Sequence, residues 1–191
     1  MAAPMTIDTS RLVLQDTVTS QKGARQIPLA NRDGSQVLWQ PAAMQCLWQP
    51  SAYNDENATR LNLSLSPGPD AVASLEALDE WLVNALALES SRRFGTQQSA
   101  EEVRSRYQSA LKTHEASGTR YLRVKVNMTG KAAVRYWDGM RQQRSPPESW
   151  TSCSVPPRIV VKGIWLMGKD FGLTLDLRDA LLDEQPTECP F

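Results

Sequence analysis

Cations and aromatic rings alternate with aliphatic residues between Arg120 and Lys169. Tyr121, Arg123 and Lys125 occupy every second position, with Leu122, Val124 and Val126 between them. A spacing of two puts each set on its own face of a β-strand, so one face can be buried while the other is a basic, aromatic surface. Such a surface can do two things to a nucleic acid: replace the counterions along its phosphates, and stack on the open faces of its bases. The pattern recurs. Beyond a Thr129-Gly130 turn, Ala132, Val134 and Tyr136 alternate with Lys131, Arg135 and Trp137, which predicts a hairpin. A third strand is predicted where Arg158, Val160 and Lys162 alternate with Ile159, Val161, Gly163 and Trp165. Between them lies a Pro-rich loop over 138–157 carrying Arg141, Arg144 and Trp150. From Gly118 to Lys169 there are ten Lys and Arg against two acids, Asp138 and Glu148, in a chain whose net charge is zero. The balancing acids lie elsewhere: residues 170–191 hold one Arg and six acids. Three successive strands of one charge sign are unusual, because sheets ordinarily intersperse charges.

The remaining chemistry is sparse. The chain contains no phosphate-binding glycine loop, no HExxH, no GxSxG and a single histidine, His114. Adjacent acids at Asp79/Glu80, Glu101/Glu102 and Asp183/Glu184 point apart on a helix and read as solvated faces. Neither a catalytic constellation nor a cofactor is expected. Cys46, Cys153 and Cys189 are odd in number and lack paired spacing, which argues against a disulfide framework or a zinc site. The Asn-x-Ser/Thr triplets at Asn57, Asn62 and Asn127 read as chance.

These residues need a scaffold, and 191 residues suffice for one domain with a full core. Residues 1–10 read as a mobile start. Short strands are expected at Leu12–Leu14 and Ile27–Leu29, then an Asp33-Gly34 hairpin turn and a strand at Val37–Trp39. The tripeptide WQP occurs at Trp39 and again at Trp48; each indole suits either the core or a stacking surface. Leu61, Leu63 and Leu65 mark a half-buried strand. The period then changes. Asp70 is expected to cap a helix along Val72, Leu75, Leu78, Leu82 and Leu86, and Ser99 with Glu102 forms a capping box for a second. That second helix is predicted to carry Val103, Tyr107, Leu111 and His114 on one face. The helical insertion thus spans about 70–114. The last strand alternates Leu173, Leu175 and Leu177 with Thr174, Asp176 and Arg178, and an acidic tail, 183–191, ends at Pro190-Phe191. No apolar run approaches the roughly 20 residues of a membrane span. The opening MAAPMTIDTSRLVLQ lacks the features of a secretory signal, so an intracellular, soluble protein is expected.

The short alternating strands, the helical insertion, the basic hairpin and the closing KGIWLMGKDFGLTLDLRDALL together resemble the oligonucleotide-binding (OB) barrel of single-stranded DNA-binding proteins from phages and large DNA viruses. The likeness covers Thr59 to Leu182. The tail DEQPTECPF is similar to the acidic, Pro-Phe-ended tails with which bacterial single-stranded DNA-binding proteins recruit replication partners. The resemblance implies a mainly β, OB-fold-like five-stranded barrel with a helical insertion, without enzymatic activity, that coats single-stranded DNA in replication, recombination or repair. DNA is favoured over RNA as the ligand, a homo-oligomer is allowed, and the location implied is the site of DNA replication, nucleus or viral factory if the chain is viral. On this reading Tyr121, Arg123, Lys125, Lys131, Arg135, Trp137, Arg141, Arg144, Trp150, Arg158 and Lys162 meet the nucleic acid. Asp183, Glu184, Glu188 and Phe191 form a tail offered to replication proteins.

Two other readings stay open. A structural or assembly protein would use the basic face to dock an acidic protein partner and would not distinguish single from double strands. An enzyme acting on nucleic acid would need divalent metal and converging carboxylates, and the basic strands carry none.

Overall fold

The structure, a computed structural model, describes residues 6–21, 23–52, 59–151 and 153–182. Alternating segments before the helices form β1 (Leu12–Leu14), β2 (Val18–Thr19), β3 (Arg25–Asn31), β4 (Val37–Trp39), β5 (Met44–Cys46) and β6 (Arg60–Ser66). Three helices follow: α1 (Pro69–Leu88), α2 (Ser90–Phe94) and α3 (Ala100–Arg106). The chain then returns to strands with β7 (Tyr107–Gln108), β8 (Leu111–Thr113), β9 (Arg120–Asn127), β10 (Arg135–Trp137) and β11 (Gln143–Arg144). It closes with β12 (Ser154–Val155), β13 (Pro157–Met167) and β14 (Asp170–Leu181). The fold is mainly β, with a helical insertion.

The main ladder runs β1-β3-β13-β14-β9-β6-β5-β12. No ladder joins its two ends. Instead β12 passes into β13 across Pro156 alone, so one bent stretch of chain pairs with β5 at its start and with β14 further along. Five strand positions, β5, β6, β9, β14 and the bent β12-β13 segment, thereby surround the core. β9 and β14 run parallel and touch in register only at Lys125 opposite Asp176. Toward the start of both strands they part, and the short strands β7 and β8 fill their edges.

The inner faces match the alternation. Leu63, Leu65, Leu122, Val124, Val126, Leu175 and Leu177 are fully buried and meet the stripe Leu75, Leu78, Leu82 and Leu86 of α1. Burying a side chain of this kind contributes about 1.5–3 kcal/mol, so the helix belongs to the same core as the strands. Polar contacts fix its orientation. The Tyr107 hydroxyl donates to Asp79 at 2.6 Å, Arg120 pairs with Glu76 at 2.6 Å, and Arg104 pairs with Glu80. The buried Arg93 guanidinium donates to the carbonyls of Gln15 and Leu14, covering the open edge of β1.

Gly163 has a φ of +133°, and a Cβ there would lie 2.1 Å from the Ile27 carbonyl oxygen, where β3 pairs with β13. The bulge beside it changes the predicted parity. Val161 faces Leu175 and Gly163 faces Thr174, leaving Lys162 as the extra residue. Ile164 therefore takes the buried position, and Trp165 turns away from the face shared by Ile159 and Val161.

Three further expectations are corrected. The return strand of the hairpin, predicted from Lys131, is only Arg135–Trp137, and it runs parallel to β14 rather than back along β9. The reason is that β9 has no edge left: β6 covers one side, and β8 and β14 share the other. The second helix starts at the predicted capping box but stops at Arg106, not at 114. Its supposed continuation supplies β7 and β8, because the backbone groups on the parted edges of β14 and β9 need partners. His114 consequently sits in a turn after β8, not at a helix end. Finally, α1 begins with Pro69 at its first turn after Gly68; Asp70 lies within the first turn and caps nothing.

Candidate nucleic-acid interface

The outer row of β9 makes one hollow. Tyr121 faces Lys112 of β8, and Arg123 and Lys125 face Ser64 and Asn62 of β6. Where β9 and β14 part, a cavity of about 330 Å³ opens, lined among others by Lys112, Arg123, Lys125, Gln108, Trp165 and Thr174. Gly172 permits this gap to be edged by β7, since a Cβ would come 2.5 Å from the Gln108 carbonyl oxygen. An aromatic wall stands beside the cations. Trp48, 43% exposed, meets Tyr121 edge-on at 5.4 Å between centroids and His114 at 5.7 Å. The Arg123 guanidinium lies 5.9 Å from the centre of the Tyr121 ring.

Among the described residues the three cations of this hollow donate only to neutral acceptors. Lys125 Nζ donates to Asn62 Oδ1 at 2.6 Å, Lys112 Nζ to Gln108 Oε1 at 3.2 Å, and Arg123 to the Tyr121 hydroxyl at 3.4 Å. Burial lowers the pKa of Lys125, and the nearby Arg60 and Arg123 lower it further, against a smaller opposing effect of Asp176. Lys112 is lowered for the same reasons, burial first and Arg123 second, against a smaller opposing effect of Asp79. Mutual repulsion of this kind is relieved by an incoming anion.

A second hollow of about 980 Å³ lies at the other end of β14. Pro41, Ala42, Ala43, Pro156, Pro157 and Leu181 supply apolar surface, and Trp137, Arg135, Arg141 and Arg158 line it as well. Arg135 is bidentate to Asp179, Nε to Oδ1 at 2.7 Å and a terminal nitrogen to Oδ2 at 3.0 Å, and lies 5.7 Å from the Trp137 ring centre. Trp137 Nε1 donates to the same Asp179 at 3.0 Å, and Arg158 approaches it to 3.7 Å. The adjoining turn is built on Asp138. That side chain, only 2% exposed, accepts from the Met140 and Gln142 amides at 2.9 and 2.8 Å and from Arg144 Nε at 2.9 Å. These donors hold its carboxyl below the usual aspartate range, the Gln142 amide most of all. Arg141, with a φ of +63°, stands at the exposed end of this turn.

The predicted site residues are thus divided. Tyr121, Arg123 and Lys125 share the first hollow; Arg135, Trp137, Arg141 and Arg158 share the second, with Arg144 tied to Asp138 beside it. Lys131 is exposed on the turn after β9. Lys162 lines a separate depression with Gln15, Ser35 and Gln36. Trp150 is corrected: it is 6% exposed and packs on Tyr136 at 5.7 Å between ring centroids, so it offers no face to a base. Asp183, Glu184, Glu188 and Phe191 lie outside the described residues.

The charge count also changes meaning in three dimensions. Asp176 accepts from Arg60 at 2.7 Å and Asn127 at 3.3 Å, so β14 brings two buried carboxylates, Asp176 and Asp179, to the outer face of the basic strands. Among the described residues Arg123, Lys125, Lys131, Arg141 and Lys162 have no carboxylate partner, whereas Arg60, Arg120, Arg135, Arg144 and Arg158 do. Trp48, Lys112 and His114 were not among the predicted contacts. The duplicated WQP drew attention to Trp48, but Lys112 and His114 were hidden by the helix predicted over them.

No family model matches the sequence, and no curated protein is similar to it. Among solved structures the chain is similar to the single-stranded DNA-binding protein from bacteriophage Enc34 in complex with ssDNA, at 13% identity over 88% of this chain and 94% of that one, with a TM-score of 0.48. A C-terminal truncation of the Enc34 protein aligns at 13% identity over 92% and 96% of the two chains, with a TM-score of 0.47. The single-stranded DNA-binding protein gp2.5 encoded by bacteriophage T7 aligns at 12% identity over 76% and 91%, with a TM-score of 0.44. Among the described residues no helix is long and apolar enough to cross a membrane.

Proposed function

We propose that the protein binds single-stranded nucleic acid, DNA in preference to RNA, with phosphates held by Arg123, Lys125 and Lys112 and bases stacked on Tyr121 and Trp48. The observation that carries this reading is the placing of three cations that lack carboxylate partners among the described residues beside the contacting, partly exposed rings of Tyr121 and Trp48. Phosphates of any nucleic acid satisfy the cations, but only unstacked bases can use the rings, so a single strand fits better than a duplex. Lys131 and Arg141, exposed and without carboxylate partners among the described residues, extend the phosphate path.

On this reading the protein works by binding, and the outer-face carboxylates Asp176 and Asp179 serve to hold arginines. Such a protein would coat single-stranded DNA during replication, recombination or repair, with the acidic end at Asp183, Glu184, Glu188 and Phe191 offered to replication proteins.

The test is fluorescence anisotropy of labelled single-stranded and double-stranded oligonucleotides at low and physiological salt, with tryptophan emission followed in parallel. Tight, salt-sensitive, single-strand-selective binding with quenching is expected. Equal affinity for both forms, or none for either, would assign the basic face to an acidic protein partner instead.

A further inference from the structure

The cavity of about 980 Å³ over Trp137 is separate from the hollow at Tyr121, and its cations are arranged differently. In the Tyr121 hollow the cations repel one another and, among the described residues, none is ion-paired to a carboxylate, although Asp170 also lines that hollow; around Trp137 the buried Asp179 holds the donors in place. Asp179 takes the Nε and a terminal nitrogen of Arg135, takes the indole N–H of Trp137, and lies 3.7 Å from Arg158. With both oxygens engaged, the guanidinium is held over the indole ring, and apolar Pro41, Pro157 and Leu181 line the hollow next to it. A planar base and its phosphate match that combination of stacking surface and guanidinium groups.

We propose that the Trp137 hollow is a second nucleotide subsite, occupied independently of the Tyr121 hollow, and that Asp179 is the positioning residue that builds it. This rests on the single-strand reading above. The register gives the separation. Lys125 is level with Asp176, which puts Tyr121 level with about Gly172, while Trp137 is level with Leu181. Nine residues of β14 at about 3.3 Å each separate the two subsites by roughly 30 Å along the strand. A short oligonucleotide therefore fills one subsite, and only a longer one fills both.

The experiment is a series of oligothymidylates from about 4 to about 16 nucleotides, the span of site sizes usual for such domains, titrated into wild type and three variants. Asp179→Asn and Trp137→Ala are expected to weaken the longest oligonucleotides by about tenfold, the loss of one stacking contact, and to leave the shortest unchanged. Tyr121→Ala is expected to weaken every length. Charge alone predicts the opposite sign for Asp179→Asn, because removing a negative group from a basic face favours DNA. Unchanged or tighter binding of long oligonucleotides by Asp179→Asn, or equal losses at all lengths, would overturn the proposal. Retained binding of the shortest oligonucleotide shows that a variant is folded. If wild type binds no length at all, the single-strand reading itself fails; if wild type binds and only the length dependence is missing, this inference alone fails.

Discussion

Trp48 and Tyr121 meet edge to face, 5.4 Å between ring centroids, although Trp48 follows β5 and Tyr121 lies on β9. The contact exists because β6 pairs with both strands and brings their ends together. Stacking on one ring is worth about 1–3 kcal/mol per base, so Trp48→Ala and Tyr121→Ala should each weaken single-stranded DNA by about tenfold. Both rings reach solvent, so melting temperature should move little; anisotropy and a thermal melt check the two halves of this expectation.

Arg123 and Lys125 have no carboxylate to lose, so replacing them removes phosphate contacts with little effect on the fold. For single strands each phosphate contact accounts for about 0.7 of the slope of log K against log salt. Arg123→Ala and Lys125→Ala should each flatten that slope by about this amount and weaken all base sequences alike. A full salt titration on two oligonucleotides of different sequence measures it.

Binding should also weaken at alkaline pH earlier than an ordinary lysine would cause. Burial and neighbouring guanidinium groups hold Lys112 and Lys125 below the usual 10.5, and a bound phosphate raises them again. The complex thus takes up protons: affinity is complete below the free-state pKa values and is lost as pH rises through the bound-state ones. The double variant Lys112→Arg, Lys125→Arg, whose guanidinium groups stay charged, should flatten the profile between neutral pH and about 10.5.

Asp138 organises the turn that carries Arg141. Its folded pKa lies below the unfolded value of 3.8, so its contribution to stability is present above that value and disappears as pH falls through the folded one. Amide exchange at Met140 and Gln142 should accelerate over that acid range in wild type. In Asp138→Asn the exchange rates should no longer show this transition.

Gly163 tests the pairing of β3 with β13. A methyl group at that position meets the Ile27 carbonyl at 2.1 Å in a backbone conformation that other residues avoid. Gly163→Ala should lower stability by about 3 kcal/mol or more, read from denaturant unfolding.

Along β9 the sequence by itself determined which residues are buried. Period-two alternation is imposed by the pleat, so Leu122, Val124 and Val126 had to be interior if Tyr121, Arg123 and Lys125 were exterior, and the structure has them so. The Ser99 capping box likewise marked the start of α3, because its hydrogen bonds are local. Only the tertiary structure decided partners. Which strand β10 joins, where α3 stops and which edge β7 and β8 complete depend on the backbone groups left open by strands far away in the chain. The same holds for charge: Asp176 and Asp179 belong to an acidic stretch when counted along the sequence. Pairing across β14 turns them into the carboxylates that engage Arg60 and Arg135, and leaves Arg123 and Lys125 without a carboxylate partner among the described residues. Trp150, expected to stack on a base, is buried, and Trp48, open between core and surface in the sequence, is exposed, for that reason too. Burial of an indole depends on what packs over it, and neither position carried a local pattern that said so.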